Sequence, residues 1–262
     1  MIPPLYLAWN AFGIFPLPHE SEKDFCLRVE TLLACAQDVD AQQEVGIKLV
    51  QSLYGAYPSW VPVVCSNSGL APWEAACTWC GDGPPTIQIS HRFAHSTLFT
   101  KLYHYSEVLA HEYVHAIRYA LNSSFDEFFA YFVTGDSFRA RCSALFAYPY
   151  EVVLLLVSLF LPTLFFLFDL SATLSVCAFF IPLALVAYYA LRTWCKKRVW
   201  KNCLGNLRHV VSRSLELCVR LTDDEIILFS RLRPSEITEW IKQAATRELR
   251  WKVFSVCYFD TM

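Results

Sequence analysis

The sequence has no excess of either charge, because 22 lysines and arginines nearly balance 24 aspartates and glutamates, giving a formal net charge of -2. It also has no internal repeat and no low-complexity tract. A chain without a basic surplus carries no overall electrostatic footprint for nucleic acid. We therefore expect no nucleic-acid partner.

A disulfide framework and a secretory signal are missing as well. The 11 cysteines are an odd number scattered along the chain, a pattern that favours free thiols in a reducing compartment. The first 18 residues are apolar, but they have no basic start and contain four prolines. We expect them to form an ordered arm or a short membrane-surface segment rather than a signal peptide.

Long hydrophobic runs, in contrast, are present. Hydrophobic residues make up 55% of the chain, above the roughly 45–50% of soluble domains. Residues 152–168 and 170–191 carry no charge and are divided only by Asp169. A membrane span needs about 20 apolar residues, so the second run fits and the first is near the lower limit. The alternative is a buried soluble hairpin, for which the two runs together are too long.

The charges that flank these runs predict an orientation. Arg139 and Arg141 precede them, a group of basic residues follows them, and the connection between the runs has no lysine or arginine. The basic residues that follow are Arg192, Lys196, Lys197, Arg198 and Lys201. The positive-inside rule then predicts an integral membrane protein with a two-helix transmembrane hairpin and both flanks in the cytoplasm. The lipid bilayer is therefore an expected partner.

The stretch over residues 106–120 has helical periodicity and carries a pattern of chemical interest. Residues 111–115 read His-Glu-Tyr-Val-His, an H-E-x-x-H pattern. At a spacing of four, His111 and His115 lie on one helical face, as two nitrogen ligands of Zn²⁺ require. Glu112 would lie beside the metal, where a carboxylate accepts a proton from coordinated water. We expect zinc as the cofactor.

Glu127 is the best candidate for the third protein ligand that a catalytic zinc site needs. It follows His115 by twelve residues, on a second predicted helix over residues 125–132. Ala130 is small, which lets this helix approach the first one closely. Two alternatives stay open: Glu127 could complete a capping box begun by Ser124, and Asp126 could replace it as ligand if the helix is rotated.

With these residues the sequence resembles the gluzincins, the thermolysin-like zinc peptidases, which pair H-E-x-x-H with an E-x-x-A pattern on a following helix. The resemblance covers residues 106–131. It implies that zinc is bound by His111, His115 and Glu127. It also implies that Glu112 polarises the attacking water.

A peptidase also stabilises the oxyanion of its transition state, usually with a tyrosine or histidine near the metal. The candidates for this role are Tyr131, Tyr119, His91, His95 and His104, and the sequence does not choose among them. We name Tyr131 with Glu112 as a catalytic residue, although in the better-known gluzincins an aspartate often stands at the position of Tyr131 and orients a zinc histidine. Cys77 and Cys80 form a single C-x-x-C pair, which is a weak indication of a structural zinc site.

The rest of the pattern indicates an α+β chain that is mostly helical. Helices are predicted over residues 22–39, 41–53, 93–121 and 125–132, and strands over residues 60–65 and 86–90. We expect a zincin-like domain with an active-site helix and a short antiparallel sheet over residues 1–143, the transmembrane hairpin over 144–192, and a cytoplasmic helical region over 193–262. That last region, with helix caps at Thr222 and Ser235, is expected to pack on the catalytic domain or on a partner. The strand over 86–90 either pairs with an extended peptide or is an ordinary half-buried strand.

These features predict a membrane-anchored zinc metallopeptidase. It would hydrolyse a peptide or protein substrate through a zinc-bound water activated by Glu112, with the catalytic domain facing the cytoplasm. The first alternative is a non-catalytic membrane scaffold or partner-binding protein with a structural or vestigial metal site. The second is a zinc hydrolase of a lipid or other non-peptide substrate.

Overall fold

The computed structural model of the chain describes residues 2–71, 74–81, 83–94, 98–99, 103–133, 145–146, 149–168 and 172–259. The α-helices in these ranges are α1 (Pro4–Ala11), α2 (Glu22–Ala34), α3 (Ala41–Tyr54), α4 (Tyr105–Arg118), α5 (Asp126–Phe132), α6 (Pro149–Leu167), α7 (Ala172–Arg208), α8 (Ser214–Cys218), α9 (Asp223–Phe229), α10 (Pro234–Arg247) and α11 (Leu249–Tyr258). The strands are β1 (Val63–Cys65), β2 (Ala76–Trp79), β3 (Thr86–Ile89), β4 (Leu98–Phe99) and β5 (Tyr103–His104). The prediction of a mostly helical chain with small sheets is confirmed.

The larger sheet has the strand order β1-β3-β2. Both predicted strands form, as β1 and β3, but the sheet is mixed rather than antiparallel, since β1 is parallel to β3 and β2 is antiparallel to it. Because β3 lies between two partners, the hypothesis that residues 86–90 pair with a peptide is wrong. The edge strand beside α4 is β2, which the sequence did not reveal.

The predicted helix over residues 93–121 is wrong in its first part. The chain instead makes a 3₁₀ turn (His91–Ala94) and the β4-β5 hairpin, and α4 begins at Tyr105. Phe93 packs on Phe99 and Tyr105, with ring centroids 5.8 Å and 5.2 Å away. This aromatic packing stabilises a turn and a hairpin where apolar spacing alone favours a helix. His95 lies outside the described residues.

Two helices begin with the side-chain caps that their sequences favour, and one expected cap is not formed. Ser21 accepts a hydrogen bond from the Asp24 backbone at the start of α2, and Thr222 and Glu225 form a capping box at the start of α9. The expected cap at Ser235 is wrong, because α10 already begins at Pro234. Proline is favoured in the first helical turn, where its missing N–H has no partner to lose.

The N-terminal and C-terminal parts of the chain share one hydrophobic core. The buried Arg220 guanidinium donates to the backbone carbonyl of Tyr54 and to the side chain and backbone of Asn10, at 2.9 Å in each case. Arg118 of α4 donates in the same way to the carbonyls of Val219 and Leu221. The C-terminal helices therefore pack on the part of the chain that carries α4. The boundaries over 1–143, 144–192 and 193–262 stay predictions.

The apolar runs form α6 and α7, which pack against each other and are joined by an ion pair between Glu151 and Arg192. Within the described residues, one helix, Val176–Arg208, is long and apolar enough to cross a membrane, and Tyr150–Phe165 is apolar but shorter. Arg139, Arg141 and Asp169 lie outside the described residues. α7 continues past its apolar part into the core, where Trp200 and Leu207 are buried.

Close packing of α3 on α4 positions the helix that carries the H-E-x-x-H pattern. Gly46 lies at the closest approach, where an added Cβ atom would be 2.9 Å from Leu109 Cβ and 3.2 Å from the Ser106 carbonyl oxygen. The glycine, a weakness for a helix on propensity alone, is therefore required for the distance between α3 and α4. A capping box at Asp40 begins the helix.

We predict that Gly46→Ala lowers the free energy of unfolding by about 1–3 kcal/mol, the usual cost of overpacking. The new methyl group would overlap Leu109 and the Ser106 carbonyl, so α3 and α4 must move apart. The measurement is the unfolding midpoint of the detergent-solubilised protein, followed by circular dichroism.

Gly205→Ala is the matched control, because Gly205 lies inside α7 and an added Cβ would have no atom within 4 Å. Helix propensity predicts that this variant is up to about 1 kcal/mol more stable than the wild type. Equal destabilisation by both alanines would contradict the role given to Gly46.

Candidate metal centre

The two histidines of α4 converge on one point. His111 and His115 are one helical turn apart, and their Nε2 atoms are 3.1 Å from each other. The side chains retain 15% and 20% exposure, so both rings border solvent. As the spacing predicts, α4 presents both imidazoles on one face.

Glu127 of α5 completes the cluster. Its Oε2 atom is 3.7 Å from His111 Nε2, and its Oε1 atom is 3.5 Å from His115 Nε2. Four ligands at about 2.0–2.1 Å in a tetrahedron are roughly 3.3 Å from one another, close to the three observed separations. Among the described residues, this is the one group of three or more His, Cys, Asp and Glu side chains spaced to hold a metal. The donor set therefore fits a metal ion.

The two alternatives for this carboxylate are not what the structure has. The Ser124 backbone N–H is bonded to Asp223 rather than to Glu127, and the residue that precedes α5, Phe125, has no side-chain cap. Asp126 pairs with Arg118 at 2.6 Å. Glu127 is thus the acid that faces the histidines, and Asp126 is engaged elsewhere.

Arg118 holds α5 in this position. Its side chain is fully buried, and its Nε donates to Asp126 Oδ1. The guanidinium also lies 4.4 Å from the centroid of the Phe129 ring. A buried guanidinium is costly unless it is paired and hydrogen-bonded, so the orientation of α5 is strongly constrained. The sequence gives no signal for this ion pair.

The surroundings of His111 keep its imidazole neutral and orient the ring, as metal binding requires. Burial, and then the neighbouring His115, hold the pKa of His111 well below its usual range, so the ring is neutral. The Ala130 backbone hydrogen-bonds to the ring, and the Tyr131 ring lies 4.5 Å from it. Neutral imidazole is the form that binds metals, and a hydrogen bond to the second nitrogen fixes its orientation. The E-x-x-A alanine therefore contributes its backbone as well as its small size.

Glu112 is buried between α4 and the sheet. Its carboxylate accepts a hydrogen bond of 2.7 Å from the Thr78 hydroxyl of β2, which also lies 3.1 Å from the Glu112 carbonyl oxygen. Burial raises the pKa of Glu112, and His115 opposes that rise. Burial also raises the pKa of Glu127, and the negative charge of Glu112 raises it further. Thr78 is a site residue that the sequence did not indicate.

The other candidates for oxyanion stabilisation have different surroundings. Tyr119 interacts with Arg28. His91 Nδ1 is 3.2 Å from the Cys65 sulfur, and His104 is exposed directly before α4. Tyr131, in contact with His111, is the candidate that lies beside the cluster. Its role in catalysis stays a prediction.

The Cys77 and Cys80 pair adds no second metal group. Both thiols are free, and burial raises the pKa of Cys77 to about 11, which disfavours the thiolate that a metal binds. Within the described residues, no third ligand joins them.

A cavity of about 390 Å³ adjoins the cluster. It is lined by His115 and Glu127 and also by Arg192 and Lys196 of α7. Its volume lies within the roughly 300–1,000 Å³ of ligand pockets. A group bound at the metal ligands would therefore have space beside it.

Comparisons of the chain with protein-family models, with curated proteins and with solved structures found no match. The gluzincin resemblance therefore rests on the sequence pattern of residues 106–131 alone.

We predict that the purified chain binds about one Zn²⁺ ion and that His115→Ala and Glu127→Ala each weaken binding at least tenfold, since removal even of groups that only support a ligand costs 10–100-fold. Metal content after dialysis, together with chelator competition, measures this.

The control for this experiment is His104→Ala, which removes an exposed histidine next to α4 but outside the cluster. It should leave zinc affinity unchanged. Full zinc affinity in Glu127→Ala would show that the carboxylate is not a ligand.

Proposed function

We propose that this protein is a zinc-dependent metallopeptidase anchored in a membrane. The observation that carries the proposal is the convergence of His111, His115 and Glu127, with donor atoms 3.1–3.7 Å apart, beside the buried carboxylate of Glu112. Two histidines and one carboxylate are the ligand set of several zinc peptidases, in which a fourth position stays open to water. The described residues supply three such ligands and no fourth.

A bound zinc ion would supply Lewis acidity and lower the pKa of a coordinated water. Glu112 then accepts a proton from the attacking water and passes it to the leaving amine. Burial raises the pKa of this carboxylate, which makes it a stronger base. Thr78 holds Glu112 in place through its hydroxyl. Tyr131 is the proposed donor to the oxyanion.

The edge strand β2 is suited to bind an extended substrate. Thr78 lies in this strand and contacts Glu112 directly. Among the described residues, no second strand pairs with the other edge of β2, and we propose that a peptide backbone pairs there. Main-chain pairing with an edge strand binds peptides without regard to sequence. A substrate there would run past the catalytic carboxylate.

The shared core favours a hairpin, in which two helices cross the membrane, and disfavours a single crossing. Arg118, which precedes the apolar helices, donates to the carbonyl of Val219, which follows them. Residues on opposite sides of a bilayer cannot share a core, so α6 and α7 both cross or neither does. The 19 residues of α6 extend about 28 Å, close to the roughly 30 Å of a hydrocarbon core.

Three observations favour crossing by both helices and a cytoplasmic site. Large apolar side chains cover the outer faces of α6 and α7, for example Phe160 at 64% and Phe179 at 66% exposure. A soluble protein rarely exposes such a continuous apolar surface. The basic residues after the second run support a cytoplasmic location of both flanks through the positive-inside rule. All cysteines in the described residues are free, as a reducing compartment requires.

A non-catalytic scaffold with a structural metal site is the second candidate. Structural zinc sites are closed by four protein ligands, so the three-ligand cluster favours the enzyme. A hydrolase acting on a lipid or another non-peptide substrate is the third candidate, and it is favoured only by the nearby membrane.

We predict that Glu112→Gln abolishes peptide hydrolysis and keeps zinc, because it removes the base and no ligand. A loss of at least 100-fold is expected, the lower end of the effect of general acid–base catalysis. The measurement is cleavage of a peptide library by zinc-loaded protein, with metal content determined on the same sample.

Glu30→Gln provides the same chemical change on the exposed face of α2 and should leave cleavage unchanged. The mechanism fails if Glu112→Gln cleaves any peptide as fast as the wild type does.

For the membrane arrangement, we predict that alkaline phosphatase fused to the C-terminus is inactive in a bacterial host and that the same enzyme fused at Asp169 is active. Alkaline phosphatase folds only outside the cytoplasm, and a hairpin returns the chain to the inside. An active C-terminal fusion would indicate a single crossing, and an inactive fusion at Asp169 would indicate none.

A further inference from the structure

The cavity beside the His111–His115–Glu127 cluster is lined in part by residues of α7 that follow its apolar segment. His115 and Glu127 line this space together with Arg192 and Lys196. Both cations follow directly after the apolar run that ends at residue 191. Any group bound at the metal ligands therefore meets the first basic turns of α7.

Most charges around the cavity already have partners. Asp126 is paired with Arg118. Arg192 donates to both carboxylate oxygens of Glu151. Asp223 accepts hydrogen bonds from the loop that precedes α5. The two ion pairs therefore contribute little net charge to an incoming ligand. Asp223 keeps its negative charge. Burial lowers the pKa of Lys196, and Asp223 together with Glu151 opposes that lowering.

Lys196 differs from its neighbours. Its Nζ donates to the backbone carbonyl of Ser124 at 3.1 Å, and no carboxylate of the described residues forms an ion pair with it. The Phe125 ring lies 5.9 Å from the same nitrogen. An ammonium group has three protons to donate, so two remain after the bond to Ser124. The half-buried cation is held in place while part of its hydrogen-bonding capacity is unused.

Packing fixes the position of this cation relative to the His111–His115–Glu127 cluster. Trp200, one turn after Lys196 on the same face of α7, packs on Phe129 and Phe132 with ring centroids 6.3 Å and 5.2 Å away. Both rings belong to α5, the helix that carries Glu127. Positions four residues apart on a helix are neighbours on one face. Lys196 and Glu127 are therefore held on elements that pack directly on each other.

We propose that Lys196 binds a carboxylate of the peptide substrate and so selects peptides with a negative charge close to the scissile bond. This inference rests on the peptidase function proposed above. An ammonium–carboxylate hydrogen bond in a partly buried pocket is strong enough to select among substrates. Lys196 is a specificity-determining residue in this account and takes no part in proton transfer.

The volume of the cavity gives the scale of the distance between the charge and the cleaved bond. A round space of 390 Å³ is about 9 Å across, which two to three residues of extended chain span at ~3.3–3.6 Å each. The carboxylate therefore belongs to a residue within about three positions of the scissile bond. It is either an acidic side chain or a free C-terminus.

The test uses the full-length, zinc-loaded protein in detergent and matched peptides. One pair carries Glu or Gln near the cleaved bond, and a second pair ends in a free acid or an amide. We expect kcat/KM to favour the charged member by about 10- to 100-fold, the range of a charge-assisted hydrogen bond. The pair that shows the preference identifies the source of the carboxylate.

Three variants and one control separate charge from structure. Lys196→Gln should lose the preference mainly through KM, Lys196→Arg should keep most of it, and Lys196→Glu should reverse it towards basic peptides. Lys201→Gln, an exposed lysine of the same helix, should change nothing. Zinc content should be equal in all of them. An unchanged preference in Lys196→Gln overturns the inference while the peptidase function stands.

A binding measurement keeps the two proposals apart if no peptide is cleaved. Fluorescence anisotropy of labelled peptides on zinc-loaded Glu112→Gln protein should show tighter binding of the charged member, and Lys196→Gln added to that protein should remove the difference. Equal binding of charged and neutral peptides, or no binding, overturns the inference. Competition by phosphatidylglycerol vesicles but not by acidic peptides overturns it as well, because the anion is then a lipid phosphate.

Discussion

The ion pair between Arg118 and Asp126 is the interaction on which the candidate site depends. Arg118 ends the helix that carries both histidines, and Asp126 begins the helix that carries Glu127. Because Asp126 and Glu127 are adjacent, engaging the first acid with the arginine leaves the second to face the imidazoles. The same guanidinium donates to the carbonyls of Val219 and Leu221. The C-terminal region thereby stabilises the ligand geometry without supplying a ligand.

A second constraint is the continuity of α7. The helix runs from the apolar segment into the core, where Trp200 is buried against α5. Because α7 is one continuous helix, it fixes the distance between the His111–His115–Glu127 cluster and the apolar surface. A membrane-anchored enzyme of this design would meet its substrates close to the bilayer. Arg192 and Lys196, which follow the apolar run, line the cavity beside the candidate metal ligands.

The sequence contained enough information to identify the candidate metal ligands, because the two histidines are one helical turn apart and the carboxylate follows soon after them in the chain. Spacing alone places His111 and His115 on one face of a helix, and Glu127 follows on the next helix. Thr78 could not be foreseen, since it reaches Glu112 from a strand 34 residues earlier in the chain. The β4-β5 hairpin was also missed, because aromatic packing around Phe93 outweighs helical spacing. Long-range packing decides such features, and periodicity does not record it.

The central claim is that a metal ion is held by two imidazoles and one carboxylate. X-ray absorption spectroscopy of the zinc-loaded protein tests it most directly, because it reports the atoms bound to the metal. The account predicts a shell of nitrogen and oxygen at about 2.0–2.1 Å that includes two imidazoles and no sulfur. Sulfur at about 2.3 Å would place the metal on cysteine and contradict the account.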